Sequence, residues 1–291
     1  MAQKKILKRD DYNTDHKCTW CPGCGNFAIW YMLKQALLEL NYKPHEVVIV
    51  YGIGCSGNGT NFTEVYSFHG LHGRALPVAQ GIKLANKKLK VIVMGGDGDG
   101  AGIGVGHFIH ACRRNIDITY IMHDNQIYGL TTGQTSPRSD KGMVTKTTPE
   151  GNIEDPVNPI ALALSSNSTF VARTFSGTPH HLKDTLKKAL QHKGFSFVDI
   201  LQPCITFNKH NTYAWYNSKI YYLENQSDYN PLDFNSALVK AFEWGEKIPI
   251  GVFYQTDLPT YEDKINIDLD LDTKDDNSAV NINELLKEFK V

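Results

Sequence analysis

The chain holds 291 residues, 41% of them hydrophobic, with a formal net charge of −1 at pH 7. That length suits one large α/β domain or two smaller ones with an extensive core, and the balanced charge excludes nucleic acid as the main partner because no basic excess exists to neutralise phosphates. Positive charge at residues 1–10 has no apolar stretch behind it and no apolar run is long enough to span a bilayer, so neither a signal peptide nor a membrane is expected and the cytoplasm is the expected compartment.

In chain order, helical spacing over 25–40 precedes a strand at 46–51. A helix at 77–88, a strand at 90–94, a helix at 102–113 and a strand at 116–122 follow. Helix 158–166, strand 169–173, helix 178–192 and strand 195–201 continue the alternation. Thr178 ahead of Pro179 suits a helix start with threonine as the cap. The short, β-branched strands read as buried on both faces, and their alternation with helices implies right-handed crossovers and a doubly wound parallel sheet. Beyond these come a helix at 237–244 and a strand at 249–254. Three long connections, 52–74, 127–156 and 203–231, have the length of functional loops. The expected organisation is one α/β domain, 1–255, followed by an acidic extension, 256–291, either lying over a partner or partly mobile.

Gly95-Gly96-Asp97-Gly98-Asp99-Gly100 closes the strand at 90–94, and Asp124-Asn125 closes the strand at 116–122. Glycines there let the backbone approach a phosphate, while the oxygens of Asp97 and Asn125 suit Mg²⁺. The same glycines fit the loose G-x-G-x-x-G/A pattern of a dinucleotide site, a weak signal by itself. Two aspartates would repel a pyrophosphate resting directly on a helix N-terminus, which favours an intervening divalent cation over NAD.

Six cysteines stand at 18, 21, 24, 55, 112 and 204. Cys21 and Cys24 form a C-x-x-C, Cys55 follows one strand and Cys204 another, so four thiolates can meet at the sheet edge that carries Asp97. A [4Fe–4S] cluster and a structural zinc accept this set equally well, and a redox dithiol at Cys21/Cys24 is a third reading. Cys18 repeats the spacing ahead of Cys21 and is an alternative ligand, while Cys112 inside a helix reads as a small core residue. His69 reads as structural, as do His110 and His123.

Gly-Asp-Gly followed one βα unit later by Asn resembles the thiamine diphosphate signature. With residues 20–25, 52–57, 68–83, 124–134 and 202–209, the chain resembles the β subunit of 2-oxoacid:ferredoxin oxidoreductases over about two thirds of its length. The resemblance implies the diphosphate-binding half of the thiamine diphosphate fold, with Mg²⁺ held by Asp97, Asn125 and the carbonyl of Ile127. Asp124 stands where many members have Asn and keeps an oxygen acceptor there. The resemblance also implies a [4Fe–4S] cluster on Cys21, Cys24, Cys55 and Cys204. Contacts to the coenzyme would come from Ile53, Gly54, Cys55, Ser56, His72, Gly96, Gly98, Asp99 and Gly129, with Arg74 a weaker candidate. Leu130, Thr131 and Thr132 would face the substrate. Thr132 departs from the Lys or Gly of many members.

The implied reaction is oxidative decarboxylation of a 2-oxoacid, 2-oxoglutarate favoured over pyruvate, to acyl-CoA and CO₂, with coenzyme A as cosubstrate and ferredoxin as acceptor. A separate α subunit would supply the glutamate that activates the coenzyme. The alternatives are a non-redox thiamine diphosphate decarboxylase and a zinc-stabilised, non-catalytic interaction subunit. The aromatic run 207–216 reads as a support for Cys204 and a subunit interface.

Overall fold

The computed structural model describes residues 7–265 and Lys287. Eight strands, β1 (Val47–Tyr51), β2 (Tyr66–His69), β3 (Lys90–Gly96), β4 (Thr119–Asp124), β5 (Phe170–Phe175), β6 (Ser196–Leu201), β7 (Ile220–Tyr222) and β8 (Ile248–Gln255), form one sheet among the described residues, in the order β2-β1-β3-β4-β6-β5-β8-β7. The six strands from β2 to β5 in that order run parallel, as the alternation of helices and strands requires. β8 reverses this sense against β5, with a register shift between Val171 and Ala172, and β7 then pairs parallel to β8.

The period of two along each strand sorts side chains into two cores. Val47, Ile49 and Tyr51 pack against Ile29, Leu33 and Leu37 of α1 (Asn26–Glu39) and Leu182 and Leu186 of α5 (Pro179–Gln191). Val48 and Val50 face the opposite layer. There they meet Ala75 and Ala79 of α2 (Ala75–Ala85), Phe108 and Cys112 of α3 (Val105–Arg114), Ala163 of α4 (Pro159–Ser165) and Ala237 of α7 (Phe234–Ala241). Each valine, leucine, isoleucine or phenylalanine sealed this way contributes about 1.5–3 kcal/mol, and each alanine roughly 0.8 kcal/mol. Cys112 is fully buried, as its place on an apolar helix face suggests. Two short helices complete the described chain, α6 (Tyr213–Asn217) and α8 (Tyr261–Ile265).

Several elements differ from the sequence expectation. The connection 52–74 contains β2, a fully exposed edge strand, and His69 lies on it rather than in a loop. The connection 203–231 contains α6 and β7. Thr178 precedes α5 but does not cap it: its hydroxyl donates to the Phe175 carbonyl at 2.9 Å, leaving Pro179 to set the first turn. The acidic extension starts as part of the domain, since Glu262 accepts from the Asp117 backbone at 3.1 Å and Thr260 and Asp263 cap α8 reciprocally. Residues 266–286 and 288–291, the rest of that extension, lie outside the described residues. Among those described, no helix is long and apolar enough to cross a membrane.

Candidate functional site

Four neighbouring strands, β1, β3, β4 and β6, end on the same edge of the sheet, so the loops after Tyr51, Gly96, Asp124 and Leu201 meet there. The first three of these loops, with His72, enclose a cavity of about 280 Å³ lined by Ile53, Gly54, Cys55, Ser56, His72, Gly96, Asp97, Gly98, Asp99, Asn125, Ile127, Gly129, Leu130 and Thr131, joined by His123 and Tyr128. Nearly all the residues expected from sequence to touch a coenzyme therefore line one space. Arg74, the weaker candidate, does not line it and stands exposed at the start of α2. Thr132 is also outside it, in a left-handed turn (φ 77°) that carries it to a neighbouring cavity.

Asp97 is buried, and its carboxylate accepts from Ser136 Oγ and from the Asn125 backbone N–H. Desolvation, then the nearby charge of Asp124, pushes its pKa well above the usual carboxylate range. A cation beside it would restore the charged form. Asn125 Oδ1 accepts from the Ile127 backbone N–H at 3.1 Å, a tight Asx turn around the left-handed residue Gln126 (φ 57°). Its Nδ2 donates to Gln202 Oε1 at 3.1 Å.

Asp99 has a different task. Its Oδ1 accepts from the backbone N–H groups of Ile53 at 2.9 Å and Gly73 at 2.8 Å, and His72 Nδ1 lies 3.0 Å away. One carboxylate thus sets the shape of two loops and stands beside His72. Gly98 must lack a side chain, because a β-carbon there would fall 2.2 Å from the Tyr128 ring, whose hydroxyl donates to the Gly98 carbonyl at 3.2 Å. Asp124 pairs with Arg138 at 2.8 Å in a buried ion pair and does not line the cavity. Burial opposes the Arg138 charge, and Asp124 and Asp199 beside it hold the guanidinium protonated.

A second cavity, about 200 Å³, is lined by Cys21, Cys24, Cys55 and Cys204 together. A β-carbon built on Gly129 would sit 3.5 Å from Cys55 Sγ and 3.6 Å from Cys204 Sγ, so these two sulfurs flank one point. The distant C-x-x-C is drawn in by two ties. Trp20 Nε1 donates to the Cys55 carbonyl at 2.6 Å, with the indole packed on Phe27 and Phe62, and Gly25 N–H donates to the Pro203 carbonyl at 3.4 Å. Burial first, then the neighbouring sulfurs, push the Cys24 thiol up to about 12 and the Cys55 thiol up to about 11. Such thiols ionise here only against a strong positive charge. Cys18 does not line this cavity. Among the described residues, no three His, Cys, Asp or Glu side chains close on a single ion-sized point.

Sequence reasoning missed several residues that build the site. Ser136 and Gln202 reach it through long-range side-chain bonds. Tyr128, in the segment 128–134 expected to line the pocket, does so with its ring packed on Gly98. His123, read as structural, lines the first cavity: its Nδ1 bonds Asn26 Oδ1 at 2.8 Å, its buried Nε2 has no partner in the protein, and burial lowers its pKa to about 3, so the ring is neutral. A Ser-Pro pair in the 127–156 connection was the available sign of Ser136. The 207–216 run supports Cys204, as expected: Asn208 N–H donates to the Cys204 carbonyl and Asn208 Nδ2 to the Asn125 carbonyl, each at 3.0 Å.

Residues 46–200 match the family model for the thiamine pyrophosphate enzyme C-terminal TPP binding domain, and 204–267 match the model for the C terminal of the pyruvate ferredoxin oxidoreductase beta subunit. The chain is 49% identical over 258 residues to the 2-oxoacid:ferredoxin oxidoreductase subunit beta of Saccharolobus solfataricus, covering 84% of this chain and 85% of that protein. It is 45% identical over 201 residues to the 2-oxoglutarate oxidoreductase subunit KorB of Mycobacterium tuberculosis, covering 69% of this chain and 54% of that one. Among solved structures it superposes on a 2-oxoglutarate:ferredoxin oxidoreductase from Magnetococcus marinus, described with 2-oxoglutarate, coenzyme A and succinyl-CoA bound. The TM-score is 0.88 at 36% identity, covering 100% of this chain and 98% of that one.

Proposed function

This chain belongs to the β subunits of 2-oxoacid:ferredoxin oxidoreductases, and from that membership we propose that, with an α subunit, it converts a 2-oxoacid, 2-oxoglutarate favoured, into acyl-CoA and CO₂ while reducing ferredoxin. The observation that carries this reading is that the Asp97 cavity and the four-cysteine cavity share a wall made of Cys55, Asn125, Gly129 and Leu130. A non-redox decarboxylase would need only the first of these spaces.

In this reading Asp97, Asn125 and the Ile127 carbonyl hold Mg²⁺, and Gly54, Ser56, His72, Gly96 and Gly98 receive the diphosphate. The donor set fits: Asp97 and Asn125 present hard oxygens, Asp97 needs a neighbouring cation to ionise, and the buried Ser56 Oγ has no partner in the protein. Cys21, Cys24, Cys55 and Cys204 hold the [4Fe–4S] cluster. Four thiolates ringing a volume of about 200 Å³ suit a cluster better than a single zinc, which would draw all four sulfurs to within about 2.3 Å of one point. When bound, thiamine diphosphate supplies the electron sink for decarboxylation and the cluster supplies one-electron steps.

The residues of the chain position and tune. Ser136 fixes Asp97, the Ile127 N–H fixes the face that Asn125 presents, and Asp99 freezes the two glycine-containing loops that close the cavity. His123, neutral and sealed, adds no charge beside the diphosphate. Leu130 and Thr131 at the rim face the substrate, while Thr132 lies on the cysteine side. No glutamate lines the cavity among the described residues, which supports a partner that brings one.

The test is anaerobic purification of the chain with and without its α subunit. The expected result is a broad visible absorption bleached by dithionite, thiamine diphosphate released on denaturation, and 2-oxoglutarate-dependent viologen reduction by the heteromer alone. Zinc in place of iron with no coenzyme, or full turnover by the isolated chain, overturns the reading.

A further inference from the structure

Gln202 stands between the two cavities, and its position is more constrained than packing requires. It follows β6 directly, is 1% exposed, and its backbone N–H donates to the Asp124 carbonyl at 2.8 Å. Its side chain lies across Gly25, where a β-carbon would come within 2.7 Å of Ser176 Oγ and 2.8 Å of Gln202 Cγ, so the residue after Cys24 is bare to make room for both.

The amide has one orientation that satisfies its neighbours. Because Asn125 Oδ1 is engaged by the Ile127 N–H, Asn125 turns its NH₂ toward Gln202, which must answer with Oε1 at 3.1 Å. This leaves Gln202 Nε2 to donate to Cys24 Sγ at 3.4 Å and to the Pro203 carbonyl at 3.0 Å. The reversed amide would set two NH₂ groups against each other and a carbonyl oxygen against the sulfur.

We propose that Gln202 is a positioning residue that couples the two sites, its amide relaying a directional chain of hydrogen bonds from Asn125 to the sulfur of Cys24. The inference rests on the ligand assignments of the preceding subsection. A cation on Asn125 Oδ1 makes the Asn125 NH₂ a stronger donor, which polarises the Gln202 amide and strengthens its N–H···S bond. A hydrogen bond to a ligating sulfur stabilises the reduced, more negative cluster and raises its potential. Loading of Mg²⁺ and coenzyme therefore raises the cluster potential, and by reciprocity the reduced cluster holds metal and coenzyme more tightly than the oxidised one.

The experiment is an EPR-monitored redox titration of the anaerobically purified heteromer, with and without Mg²⁺ and thiamine diphosphate, in wild type, Gln202→Leu and Gln202→Glu. Wild type is expected to show a higher potential when loaded. Gln202→Leu is expected to show a lower potential that no longer responds to loading. Gln202→Glu keeps the shape of the side chain but sets a carboxylate oxygen against Cys24, and is expected to fall below both. A wild-type potential indifferent to loading overturns the relay, as does a Gln202→Leu protein that retains the wild-type potential and response. If wild type shows no [4Fe–4S] signal or binds no coenzyme, the assignment of the two sites fails, and the relay fails with it.

Discussion

Asp97 is a buried carboxylate held by Ser136 Oγ and the Asn125 backbone N–H. A carboxylate among glycines at a strand end announces a cation, but the groups that tune it arrive from far along the chain. Ser136 is 39 residues away, and the link from Asn125 to Gln202 spans 77. No local pattern encodes such pairings, because they arise only when neighbouring strands bring their loops together. The raised pKa of Asp97 makes a pH prediction. In the cofactor-free protein the native state holds this proton while the unfolded chain has lost it, so its contribution to stability is fully present below the ordinary carboxylate pKa and is lost as pH rises toward the higher native value. Asp97→Asn removes that loss. The variant should gain stability relative to cofactor-free wild type as pH rises from about 4 toward neutrality, by at most about 1.4 kcal/mol per pH unit, in paired thermal melts. The same variant should fail to retain thiamine diphosphate on gel filtration.

At the level of elements, the helices could be read from a buried face that repeats every 3.6 residues, and the central strands from short apolar, β-branched runs buried on both faces. β2 and β7 could not. β2 is exposed along its whole length, and β7 is three half-buried residues on the far edge, so neither has an alternating pattern to betray it. The antiparallel seam between β5 and β8 was equally silent, since pairing sense leaves no mark on a buried apolar run. The loop after β3 was legible as glycine-rich, yet the reason for Gly98 lies in Tyr128. Gly98→Ala must push that ring aside or shift the loop. A large fall in coenzyme affinity with the far-ultraviolet circular dichroism of wild type is expected, and titration of the purified heteromer with thiamine diphosphate checks it.

Across the whole molecule, the most consequential polar cluster lies beneath the site. Arg138 pairs with Asp124 and donates to the Val157 carbonyl, Arg173 pairs with Asp199, and both guanidinium groups face Trp244. The cluster ties the 127–156 connection, β4, β5, β6 and the segment after α7 into one body. Asp124, read from sequence as an oxygen acceptor near the metal, serves this network, and Arg138 explains why a charge can stand there. Arg138→Met strands the Asp124 carboxylate in the interior. A loss of about 3–5 kcal/mol is expected in urea melts, and a double variant with Asp124→Asn should recover part of it.

The partition formed by Cys55, Asn125, Gly129 and Leu130 is one residue thick. On the proposed reading, a coenzyme held by Asp97 and Asn125 and a cluster held by the four cysteines would stand on either side of that single layer, a separation short enough to favour electron transfer between them. The same thinness has a cost on the outer side. Cys21 is exposed, so on the proposed reading a cluster held there would be open to dioxygen from solvent with the coenzyme one residue away, and air should silence both chemistries together rather than one at a time.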